Sequence, residues 1–522
     1  MRILLGCLIG LFWVTVAQAV CTTTTANLQQ TTVQNAITAA TGGAMDSYVI
    51  CLPPGTQTWT TTSSVTPSVT LNKGVTLQGT TVCSGSPVTC VDGTIINDGT
   101  NAGFDEGLLK ITGTNARVTG ITWKDPRGIG DAKEPITMNC ANCRFDHNSF
   151  PVTPTTLDKH GVYVYSKPTS TQLIDHNYFK DLGGGVDVDG THPSDFQFPG
   201  DFSWESTLVP GSANATYIED NHFDYSSSSV GVDGAWDSYA GARLVFRYNT
   251  VKRTSSGSHG LDSGGLRSSL LHELYRNTAS NTDSAIYTWA NSRGGTHFIF
   301  ENTISASAGS FNIFFAYQSY RSDDGCTDCA SWGICNGANF RDQNTSGQQG
   351  YICRDQIGRG PETAPTTDWP RLTSSITFSE AAFPAYSFAN TYKGAIPTIS
   401  NVDIRGGPTS DVRAQTFHLI NNRDFFMEVS GFNGTTGTGS GSLLSRPGFC
   451  TTGVAYWATD QGSWNTSGDG RGSGVLYKCT STNNWSVYYT PYTYPHPLQG
   501  ASGSDTTPPS APTNLRVTGF YP

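Results

Sequence analysis

The 522-residue chain is predicted to be all-β, a parallel β-helix in which short strands stack coil upon coil. Three observations point there. A strand-like phrase ending in Asn recurs through the middle of the chain. Helical periodicity is nearly absent, while β-branched and aromatic residues dominate the repeated segments. Charged residues make up only 14% and Gly numbers 58, which excludes a coiled coil and a charge-rich disordered chain. The net charge of −10 argues against a nucleic-acid partner, which would call for a basic face.

The elements follow in chain order. Residues 1–19 read as an export signal: Arg2, an apolar run from Ile3 to Val16, then the small-x-small stretch Ala17-Gln18-Ala19. The run is too short to span a bilayer comfortably, and no other run suits a membrane helix. The mature chain is expected to be secreted or held at the cell surface. Cysteine usage agrees. Cys7 leaves with the signal and twelve remain, an even number suited to disulfides. Cys83 with Cys90, Cys140 with Cys143, Cys450 with Cys479, and Cys21 with Cys51 form the natural groups. Cys326, Cys329, Cys335 and Cys353 cluster; two bridges suit an oxidising compartment better than zinc, since only one C-x-x-C spacing is present.

Leu28 to Ala40 is the one amphipathic helix, with Leu28, Val33, Ala36, Ile37 and Ala40 able to share a face. It is expected to plug the open end of the stack, where bare strand edges would otherwise aggregate. The β-helix is expected over residues 20–430. Its repeats carry Asn148, Asn177, Asn221, Asn249, Asn277, Asn302 and Asn390, and the first five spacings are 29, 44, 28, 28 and 25 residues. Coils of about 25 residues with longer loops between them suit three short strands per turn. The Asn is expected at the turn after a strand, tolerating unusual backbone angles and hydrogen-bonding to the next coil. Residues 431–446 are rich in Gly, Ser and Thr and read as a long loop or linker. Residues 447–500 are aromatic-rich and read as a small β module that flanks the last coil or offers a sugar-stacking surface. Residues 501–522 resemble the start of a fibronectin type III domain, too short to complete one.

The phrases VICLPPGTQTW (49–59) and KGVTLQG (73–79), the N-terminal helix and the Asn coils resemble secreted right-handed parallel β-helix proteins of the pectate-lyase-like superfamily. The resemblance covers about residues 27–430. It implies a right-handed helix and a polysaccharide partner. It leaves the reaction open among lyases, hydrolases, esterases, epimerases and non-catalytic adhesins.

Chemistry is expected between residues 159 and 293. Asp187 and Asp189 lie two apart, which on a strand puts both on one face about 6.6 Å apart. Later coils add Asp233 and Asp237, then His259, Asp262 and Arg267, then Asp283, Tyr287 and Trp289. The 187, 233 and 259/262 groups follow their Asn by about 10 to 13 residues. Equal offsets in a solenoid would stack them in one column, with His160 beside it. The first reading is β-elimination from an acidic polysaccharide. His259 or Arg267 would be the base, with Asp262 beside them. Asp187, Asp189 and Asp233 would hold Ca²⁺. Trp236, Tyr239, Tyr287, Trp289 and Arg293 would bind substrate. A non-catalytic glycan-binding or surface-structural protein, and an inverting glycoside hydrolase using paired Asp residues, are the alternatives.

Overall fold

The computed structural model describes residues 20–60, 68–99, 107–124, 135–152, 160–166, 169–190, 204, 207–226, 234–260, 267–282, 288–307, 309–319, 353, 355–362, 380–406 and 419–500. The export signal, the C-terminal tail, and Cys326, Cys329 and Cys335 therefore lie outside the described residues.

Short β-rich segments separated by turns are too brief to form a core alone, so they stack. The result is a right-handed parallel β-helix with three long faces. The first sheet has twelve strands and the second has ten, while the third runs as six strands and then three. Neighbours within each face pair in parallel, as in Leu173↔Tyr217 of the first, Phe179↔Phe223 of the second and Val186↔Trp236 of the third. Alternation sends every second side chain into the lumen. On the strand Gly184–Asp189, Val186 and Val188 are enclosed in the core while Asp187 and Asp189 take the other face. Within the lumen like residues stack: the rings of Phe150, Phe179 and Phe223 lie 5.1 and 4.8 Å apart, about one coil spacing.

The Asn ladder is continuous. The backbone N–H of Asn148, Asn177, Asn221, Asn249, Asn277 and Asn302 each donates to the side-chain oxygen of the next Asn, at 2.9–3.0 Å. Each amide nitrogen also donates to a carbonyl one coil back, as Asn221 does to Ile174 at 2.9 Å. The strained backbone is not at Asn. The residue before it takes the left-handed region: His147, His176, Asp220, Tyr248, Arg276, Glu301 and Ala389, with φ between 52° and 59°. The side-chain bonds of the buried Asn hold that turn closed, so a non-glycine neighbour is tolerated at positive φ.

The helix Gln30–Ala39 covers the N-terminal end, with Val33 and Ile37 fully buried against the first coils. Gln34 exchanges two hydrogen bonds with the backbone of Thr70, and Lys73 donates from Nζ to the carbonyls of Thr38 and Ala40 at the helix C-terminus. Cations at that end are favoured by the helix dipole. Disulfides join Cys21–Cys51, Cys83–Cys90, Cys140–Cys143 and Cys450–Cys479, and Cys353 is also disulfide-bonded. Among the described residues no helix is long and apolar enough to cross a membrane.

The loop or linker expected at 431–446 carries a short strand and a single 3₁₀ turn, Leu443–Ser445. Thr438–Gly441 is a strand paired with Ala455–Ala458, which continues through Val475–Ser481 to Asn484–Tyr489. Missing side chains make this possible, since a Cβ on Gly439 would sit 2.4 Å from the Phe432 ring. The module lies along the outer face of the first sheet. Trp457 packs on Phe300 and Phe388, Tyr489 on Phe298, and Tyr494 on Tyr248. Several of its large aromatics are buried: Trp457, Trp464, Tyr489 and Tyr494 do not present rings to a sugar.

Candidate active site

The third sheet ends its regular run at Gly234–Tyr239. The following coil crosses this face as irregular backbone, where Gly257 and His259 donate to the carbonyls of Trp236 and Ser238. The sheet resumes at Thr288–Ser292, where Asn291 donates to the carbonyl of Ser256. Side chains on the outer face gather around this interruption.

Register sets two columns. Tyr163, Asp187 and Asp237 are successive partners, as are Tyr165, Asp189 and Tyr239. Asp187 accepts from His160 Nδ1 at 2.6 Å. Asp189 accepts from the Tyr163 hydroxyl at 2.7 Å, and that hydroxyl also meets the Tyr239 hydroxyl at 2.8 Å. Asp237 accepts from His259 Nδ1 at 2.6 Å and from the Ser238 backbone N–H at 2.7 Å. The His259 side chain is 32% exposed and its partner 11%, so the pair opens to solvent. Asp237, His259, Asn291 and Arg293 line one small cavity of about 110 Å³. Arg293 is placed there by its backbone N–H, which donates to Ser258 Oγ at 3.0 Å.

Glycine admits the first of these histidines. A Cβ at Gly184 would lie 2.6 Å from His160 Nδ1 and 3.2 Å from Asp187 Oδ1. Gly184→Ala is expected to push the imidazole off the carboxylate at a cost of about 1–3 kcal/mol. An unchanged thermal midpoint would show that the ring moves aside freely.

The other candidates separate into three groups. Asp187, Asp189, Tyr239, His259 and Arg293 share the outer face or its cavity. Asp233, Asp262, Asp283 and Tyr287 lie outside the described residues. Trp236, Trp289 and Arg267 are placed elsewhere, which corrects the roles expected for them. Trp236 shares the parity of Val186, points into the lumen and is fully buried; Trp289 is likewise in the core against Phe314. Neither can stack on a glycan. Arg267 is fully buried in ion pairs with Asp355 at 2.5 Å and Glu362 at 2.9 Å, so it cannot reach a substrate proton.

The coil partner of Asp187 is Asp237 and not Asp233, because the loop before Gly234 is longer than the one before Gly184. Tyr163 and Tyr165 were missed. Their signal was the Tyr-x-Tyr alternation of HGVYVY, which puts both hydroxyls on the face opposite Val162 and Val164. Of the expected metal set, Asp233 lies outside the described residues. Asp187 and Asp189 already accept from His160 and Tyr163. Among the described residues no group of three or more His, Cys, Asp or Glu side chains is placed to hold a metal ion.

No family model and no curated protein matches the chain. Among solved structures it is similar to an alginate lyase from Paenibacillus sp. str. FPU-7, with 15% identity and a TM-score of 0.35 over 57% of this chain and 99% of that one. It is similar to the A-module of the Azotobacter vinelandii mannuronan C-5 epimerase AlgE4, with 12% identity and a TM-score of 0.29 over 56% and 94%. A third is the DFA-IIIase from Arthrobacter chlorophenolicus A6 in complex with DFA-III, with 11% identity and a TM-score of 0.30 over 74% and 99%. The chemistry of the site has to be read from this chain's own residues, which build a right-handed parallel β-helix with a polar His–Asp and Tyr–Asp face at the break in its third sheet.

Proposed function

We propose that the chain cleaves a uronate-containing polysaccharide by β-elimination on the outer face of the third sheet. The observation that carries this reading is the His259–Asp237 pair, open to solvent beside Arg293 and two residues along the strand from Tyr239 of the tyrosine cluster. Asp237 fixes Nδ1 as the protonated nitrogen, which leaves Nε2 as a base. Nε2 takes the proton from the carbon next to the sugar carboxylate. Arg293 neutralises that carboxylate as charge builds on it. The carbon's electron pair forms the new double bond, and the bond to the neighbouring glycosidic oxygen breaks. That oxygen takes its proton from the Tyr239 hydroxyl. Adjacent outward positions on a strand are about 7 Å apart, the spacing needed to reach two atoms of one sugar ring. Asp187 with His160, and Asp189 with Tyr163, hold this face rigid.

The direct test is absorbance at 235 nm on pectate, alginate and related uronates, with and without Ca²⁺. Unsaturated product is the expected result, and the arm without Ca²⁺ is expected to keep activity. New reducing ends without absorbance would favour hydrolysis, and binding without cleavage would favour a glycan-binding surface; either outcome overturns elimination.

A further inference from the structure

Beneath the open face of the site, inside the coil stack, runs a buried chain of hydrogen bonds. His272 lies on the first-sheet strand Leu271–Tyr275, which follows the irregular coil. Its coil partner Leu244 is a core residue, so the imidazole points into the lumen, where it is fully buried. Its Nε2 meets the Ser238 hydroxyl at 2.9 Å, and its Nδ1 meets the Ser292 hydroxyl at 3.4 Å. Those serines are also fully buried, and they sit on the two strands that flank the interruption, Gly234–Tyr239 and Thr288–Ser292. One ring thus ties the two flanks together under the irregular coil.

The proton roles follow from the neighbours. Ser269 Oγ donates to Ser238 Oγ at 2.8 Å, so the Ser238 proton goes to Nε2 and the ring proton sits on Nδ1, facing Ser292. Burial, and then the neighbouring His297, hold His272 well below the ordinary imidazole range, which keeps the ring neutral. His297 stacks on it at 5.1 Å and joins Ser292 at 2.8 Å.

Ser238 is where this chain meets the outer face. Its backbone N–H donates to Asp237 at 2.7 Å, and its carbonyl accepts from the His259 backbone N–H at 3.0 Å. One residue therefore holds both the carboxylate and the main chain of the histidine that the carboxylate orients. Any shift of Ser238 acts on both ends of the 2.6 Å bond between Asp237 and His259. We propose that His272 is a positioning residue for this site: bridging Ser238 and Ser292 from within the lumen, it fixes the backbone that holds Asp237 against His259. Its effect on rate rests on the elimination reading; its effect on the His259 ring does not.

The test compares three variants of the full chain. His272→Phe keeps a ring between Trp236 and His297 but removes both bonds. Ser238 and Ser292 retain Ser269 and His297 as partners, so the fold is expected to hold. Ser238→Ala removes one anchor. His272→Gln restores an acceptor and a donor at the end of the side chain. The first readout is the nitrogen resonance of His259 Nδ1 in protein with isotope-labelled histidine, assigned by its loss in His259→Gln. It is expected to move in His272→Phe and in Ser238→Ala, and to return towards its wild-type position in His272→Gln. The second is kinetic. In His272→Phe kcat is expected to fall about tenfold or more, because small misplacements of a base are costly, while KM stays near wild type because Arg293 keeps its bond to Ser258. A resonance unmoved in both variants, or a wild-type kcat in His272→Phe, would overturn the bridge. So would a change that Gln does not reverse, which is what a packing residue alone would give. A wild type that cleaves no uronate would sink elimination, and the resonance would still decide the bridge.

Discussion

Replacing His259 by Gln, or Asp237 by Asn, is expected to lower uronate cleavage by about 10²–10⁴-fold, the span a positioned general base supplies. The two losses should not add. Asp237 acts only through the ring it orients: Asn would offer an amide N–H to Nδ1, reverse the tautomer and put the proton on the nitrogen that must accept one. The double variant should therefore be scarcely worse than either single one. Stability should change little in the His259 variant, because its ring is part exposed. The readings are initial rate at 235 nm and the thermal midpoint of the same preparations. Wild-type rates in both single variants would remove the pair from the chemistry. A fall in midpoint that tracks the fall in rate would reduce it to a structural contact.

What could be read before the structure differs from residue to residue for a physical reason. The Asn ladder was legible because each rung does the same job in the same local surroundings, so the sequence repeats it. The conformational part of that reading was misplaced: positive φ belongs to the preceding residue, which varies from His to Glu to Ala and leaves no sequence pattern. Asp187 and Asp189 were correctly put on one face because strand parity is a local rule. The same rule, applied to Trp236, would have sent it inward with Val186. Partners across coils could not be counted from the Asn. Spacing from that turn to the third sheet depends on loops of unequal length, so Asp237 and not Asp233 meets Asp187. Arg267 was unreadable for another reason. Its acidic partners lie 88 and 95 residues further along, beyond any local pattern.

The second large effect is expected at that arginine, and in stability. Among the described residues, Arg267 pairs with Asp355, Glu362 and Glu380, at 2.5, 2.9 and 3.8 Å, with all four side chains fully buried. Its guanidinium also lies over the Trp204 ring, 5.2 Å from the centroid. Burial, and then the charge of Asp355, push the Glu380 carboxyl well above the usual range even with Arg267 beside it. Arg267→Leu would take the guanidinium away from these buried carboxylates, and about 3–5 kcal/mol of stability is expected to go. The loss should depend on pH with a definite sign. Acids whose folded pKa is raised by burial stabilise the fold once protonated, fully so below their unfolded values near 4, and lose that contribution as pH rises through the folded values. The variant should therefore fall furthest behind the wild type at pH 8 and recover part of the deficit at pH 5. Urea unfolding midpoints at the two pH values measure this. Arg267→Lys keeps a charge but not the fork that reaches Asp355 and Glu362 together, so an intermediate loss is expected. Equal midpoints for wild type and Arg267→Leu, with cleavage alone abolished, would return the residue to the reaction and contradict its enclosure in the core.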